Sequence, residues 1–105
     1  MAPIPPVGRA RALAAVRDGE LPLWLGSPHP CAAIVEQDGV VRIRDLVVDP
    51  AEAAAARAAS LAAHGHWLPE QHYELGRPTG PIHVEAATRA ALAAAIEAMP
   101  WPARW

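Results

Sequence analysis

The sequence predicts an α+β fold: a small antiparallel sheet packed against about three Ala-rich helices, in the order α-β-β-α-(β)-α. Three observations carry this. Two β-rich runs, CAAIVEQ and VVRIRDLVV, flank Asp38-Gly39, a dipeptide suited to the positive φ angles of a tight hairpin. Ala-rich stretches on either side bear helix start and stop residues. The second β-rich run alternates so that one face is apolar and the other carries arginines, as in an antiparallel sheet covered on one side. Residues 1–6, with Pro3, Pro5 and Pro6, read as an extended arm. Residues 7–105 read as a single domain, since a chain of this length buries enough surface for one small core.

From Val7 to Asp18 the pattern is helical, with Ala10, Leu13, Ala14 and Val16 as the apolar stripe and Gly19 as the stop. LPLWLGSPHP is expected to be irregular, because four Pro and Gly residues punctuate it, and its Leu and Trp side chains serve as core anchors. The two-residue turn sets the hairpin register arithmetically: Gln37 opposite Val40, Val35 opposite Arg42, Ile34 opposite Ile43. Ile34, Val41 and Ile43 then share one face, with Arg42 and Arg44 on the other. The alternation breaks at Asp45-Leu46, which predicts a bulge or bend. Asp49 is the N-cap of a second helix, Pro50 its first residue, and Gly65 its end. That helix can bury only Ala and Leu61, so it is expected to press close to the sheet or to another helix. A third helix is expected from Val84 or Glu85 to Met99, with Leu92, Ile96 and Met99 on one stripe and Glu85–Arg89 as an i,i+4 pair. HYEL and PIHV are each short enough for a third strand.

Composition removes several function classes. The net charge is −2 and the nine Arg are scattered, so the concentrated basic footprint of a nucleic-acid binder is missing and nucleic acid is an unlikely partner. No apolar run approaches a membrane span, and the N-terminus lacks a signal-peptide core, so a cytoplasmic protein without a membrane partner is expected. Cys31 is the single cysteine, which excludes an intrachain disulfide and a thiolate zinc cluster. Lys, Asn and Phe are absent while Ala, Arg, Gly and Pro abound, the signature of a GC-rich bacterial genome. The lack of Lys therefore carries no functional meaning.

The stretch HGHWLPEQHYELGRPTGPIHVE, from His64 to Glu85, gathers four of the five histidines, and from it His66, His72, Glu74 and His83 are the candidate ligand-binding residues. Their spacing does not match the i,i+4 histidines of helical zinc sites, and His64 suits a helix C-terminus, where an imidazole complements free carbonyls. No metal and no cofactor are expected. His83-Val84-Glu85 matches the His-x-Glu of zinc-dependent nucleobase deaminases, but the Pro-Cys-x-x-Cys that those enzymes need downstream is missing. Cys31, at the start of a β-rich run, reads as a small buried hydrophobe rather than a nucleophile. No catalytic residue is assigned.

The tail WPARW is the remaining feature. Each Trp ring offers ~150–250 Å² of buriable area, so the tail is expected to fold back over the core or to dock on another chain. Trp101, Arg104 and Trp105 are the candidate interface residues, because Trp and Arg dominate interface hot spots. Of the 105 residues 25 are Ala and none is Phe, so large apolar area is scarce, and pairing two copies through the third helix and both Trp would supply more. The leading reading is a small non-enzymatic interaction or regulatory module that self-associates as a homodimer or binds another protein. The runner-up is a small-ligand or metal-binding protein, with an enzyme included in that class, using the His-rich residues 64–85. Metal analysis of protein purified without a His-tag separates the two: the leading reading expects no bound zinc, and stoichiometric zinc lost in His66→Ala and His72→Ala would reverse the order.

Overall fold

Asp38 and Gly39 sit at φ 54° and 81°, the paired positive values of a type I′ turn. In the computed structural model, which describes residues 8–26, 30–67 and 75–105, this turn joins β2 (Ala32–Gln37) to β3 (Val40–Asp45). The register is the one the turn dictates: Gln37 opposite Val40, Val35 opposite Arg42, Ile34 opposite Ile43. Ile34, Val41 and Ile43 accordingly lie in the core.

Two further strands complete an antiparallel sheet of order β1-β2-β3-β4. Leu23–Leu25 is β1, paired with β2 through Leu23–Ile34 and Leu25–Ala32, where the sequence reading expected irregular chain. Its three residues fit between the flanking Pro22 and Gly26, so the punctuation limits the strand without abolishing it. Ile82–Ala86 is β4, which bears out PIHV as a strand and corrects the expected start of the third helix. Helix formation waits for Thr88, whose Oγ1 accepts a hydrogen bond from the Ala91 N–H at 3.1 Å. The expected Glu85–Arg89 helical pair therefore does not form. Glu85 instead accepts from Arg42 Nε at 2.5 Å, while Arg89 reaches Glu36 of β2 and the Gly19 carbonyl at 2.8 Å.

The helices are α1 (Arg9–Asp18), α2 (Pro50–His64) and α3 (Arg89–Ala98). α1 and α3 pack side by side on the core face of the sheet. α1 buries Ala12 and Val16, an i,i+4 pair, with Leu13 partly covered, whereas Ala10 and Ala14 of the expected stripe are exposed. α3 buries Leu92, Ala93 and Ile96. The opposite face of the sheet is not simply wet. Ala33 and Val35 are buried there, and Arg44 binds the carbonyls of Gly80 at 3.0 Å and Thr79 at 3.1 Å, holding that segment against the hairpin.

α2 has the ends its sequence demands. Asp49 Oδ1 accepts from the Ala51 and Glu52 amides at 2.8 and 3.4 Å, and the Gly65 N–H closes on the Leu61 carbonyl. Its packing corrects the expectation. α2 lies along no other described helix or strand, only Ala53 and Ser60 are buried, and Leu61 is 44% exposed. Alanine side chains add too little apolar area to draw the helix onto the sheet.

Replacing Gly39 with Val should destabilise the protein by more than ~1 kcal/mol, because a β-branched side chain resists positive φ. An unchanged denaturation midpoint in that variant would mean that the turn does not set the register.

Candidate functional site

Chemistry collects at the end of the sheet where β3 runs out. Counting alternate residues from Ile43 on the core face brings Asp45 to the same side, where a carboxylate needs a partner. The partner is His83, with Nε2 and Asp45 Oδ1 2.6 Å apart. A register shift delivers it. β3 and β4 pair Ile43 with Val84 and Arg44 with Ile82, so His83 is the extra residue of a bulge and its ring is turned toward Asp45. The sequence placed the irregularity at Asp45-Leu46, and it falls two residues earlier, between Ile43 and Arg44, on the side facing β4.

The His83 ring also meets Trp105 edge-on, with centroids 5.1 Å apart, and Trp105 meets Trp101 in the same way at 5.3 Å. Trp105 is only 4% exposed and belongs to the core cluster, so the tail folds back over its own chain. Cys31 precedes β2 and is held opposite Leu46, whose N–H donates to the Cys31 carbonyl at 3.0 Å. It is half-buried rather than fully buried, so the small-hydrophobe reading holds only in part. Cys31, Asp45, Leu46, His83, Pro102, Arg104 and Trp105 together line a solvent-open depression of about 410 Å³.

The candidate residues from the sequence scatter with respect to this place. His83 is in it. His66 lies just past the end of α2 and does not line the depression: its Nδ1 is 3.1 Å from the His64 carbonyl, and its own carbonyl accepts from Ser60 Oγ at 2.9 Å. The helix-terminal role expected of the His64 ring thus goes to His66. His72 and Glu74 lie outside the described residues. Of the tail, Arg104 and Trp105 line the depression, with the Trp105 ring buried and Arg104 exposed, and Trp101 is half-buried beside them. Among the described residues no three His, Cys, Asp or Glu side chains group as metal ligands would. None of the described helices is long and apolar enough to cross a membrane.

Sequence reasoning passed over Asp45 as a site residue. The signal was present, because the hairpin register already places it on the apolar face. The bulge that supplies its histidine depends on a strand arriving from 37 residues later in the chain, so it has no local signature.

The chain matches no family model and shows no significant similarity to a curated protein or to a solved structure.

Gly80 tests the geometry at Asp45. A Cβ there would stand 2.8 Å from the Asp45 carbonyl oxygen and 2.9 Å from its Cβ, closer than packed atoms approach. Gly80→Ala should cost about 1–3 kcal/mol, the usual range for overpacking. A denaturation curve that superimposes on the parent curve would show that the segment does not lie this close to β3.

Proposed function

We propose that the protein is a non-enzymatic interaction module that pairs with a second copy of itself through α2. The observation that carries this is the side of that helix on which Arg57, Ala58 and Leu61 are exposed. Ala53, Ala54, Arg57, Ala58 and Leu61 form with Trp67 a shallow, mostly apolar groove of about 340 Å³ that no other described element fills. A 15-residue helix is marginal on its own in water and ordinarily draws its stability from packing. Small side chains let a facing helix approach to roughly 8 Å, and Leu61 and Trp67 supply the larger apolar contacts.

A two-fold axis is the commonest arrangement for two identical chains. The faces expected from the sequence are committed elsewhere: α3 buries its apolar stripe against α1 and the sheet, and Trp105 is in the core. α2 offers a partner the apolar groove described above.

Sedimentation equilibrium should give twice the chain mass of 11.1 kDa at high micromolar concentration. Leu61→Glu and Ala58→Glu should each weaken pairing at least tenfold, while leaving the monomer's stability within about 0.5 kcal/mol because both positions are exposed. A strictly monomeric parent, or variants that dimerise as it does, would remove this reading.

A further inference from the structure

We propose that the depression at the end of β3 is a binding site for a small carboxylate with an apolar body, gripped by Arg104. The site is separate from the α2 groove and stands or falls independently of self-association.

The lining combines an apolar wall with a comparable share of polar surface, the mixture that a ligand with one apolar and one polar end would meet. Leu46, Pro102 and the edge of Trp105 supply the wall, and the volume of about 410 Å³ falls within the range of small-molecule sites. The polar groups are Asp45, His83, Arg104 and the Cys31 thiol. Their pairing decides the charge of the ligand. Asp45 and His83 satisfy each other at 2.6 Å, so the one carboxylate side chain of the site already has its donor. Arg104 has no hydrogen-bond or ion-pair partner among the described residues and stands exposed at the rim. Arg104 is therefore the charged side chain of the lining that no described residue engages. A guanidinium binds a carboxylate through two parallel N–H···O bonds, which gives orientation as well as attraction.

The site is also firmly supported. Asp45 is fixed at both backbone ends, its N–H donating to the Pro81 carbonyl and its carbonyl accepting from the Gly80 N–H, each at 2.9 Å. Trp105, buried against the His83 ring, anchors the tail segment that carries Arg104. Positioning groups held in this way lose less freedom when a ligand arrives.

Cys31 provides the readout, because it is the single cysteine of the chain and lies in the wall of the site. The probes are benzoate, its neutral analogue benzamide and the cation benzylamine, each titrated to about 10 mM, where a ligand of millimolar affinity nears saturation. Benzoate should slow alkylation of Cys31 by neutral iodoacetamide and give saturation-transfer NMR signals. Benzamide and benzylamine should bind at least tenfold more weakly. Arg104→Gln, a change at an exposed residue, should abolish the preference for benzoate, with protection scored against that variant's own unliganded alkylation rate. The proposal is overturned if benzoate gives neither protection nor transfer, if benzylamine or benzamide binds as well, or if Arg104→Gln binds benzoate like the parent.

Discussion

Because Asp38 and Gly39 both hold positive φ, the two central strands pair in one register, and both the core and the depression depend on it. It directs Ile34, Val41 and Ile43 into the core and brings Asp45 to the last core-side position of β3. A slip of one residue would turn every one of these side chains to the other face. The apolar set would then meet the arginines, and the carboxylate would leave the depression. The turn exerts this control from the far end of the sheet, away from the chemistry.

The second constraint is the shortage of large apolar side chains. With no Phe and with Ala at 25 of 105 positions, the core depends on a few aliphatics and on Trp105. The tail is consequently a structural part of the core, with its rim left to carry polar chemistry. The same shortage explains α2. A helix whose inward candidates are alanines gains little by docking on the sheet, so it is held by its Asp49 cap and by Arg77 binding Glu52 at 2.8 Å. Exposed ion pairs of this kind contribute about 0–1 kcal/mol, which tethers the helix without burying it.

What could be read from the sequence was local. The hairpin register came residue by residue from one dipeptide, and both ends of α2 came from their capping residues. What could not be read depended on residues distant in the chain. Glu85 and Arg89 stand four apart as a helical pair would, but each finds a better partner across the sheet, Arg42 for one and Glu36 for the other. β1 was hidden by the prolines and glycines around three apolar residues. At the site, His83 drew notice as one histidine among several, whereas Asp45 and Cys31 acquired meaning only when β4 arrived with its bulge. Half of the histidine-rich reading, His72 and Glu74, lies outside the described residues.

The packing of α1 against α3 has a consequence for how the chain assembles. Arg89 grasps the Gly19 carbonyl across 70 positions, and Arg9 reaches the Met99 carbonyl across 90. The hairpin closes over a handful of residues. Loop-closure entropy rises as about (3/2)RT ln n, so docking the first helix costs roughly 2 kcal/mol more than closing the turn. Contacts of such long range slow folding as well. The first helix is made well before α3, and the side that α3 covers stays open until then. Small alanines on that side, with Val16 and Leu13 as its larger apolar members, limit how much sticky surface it presents during the wait.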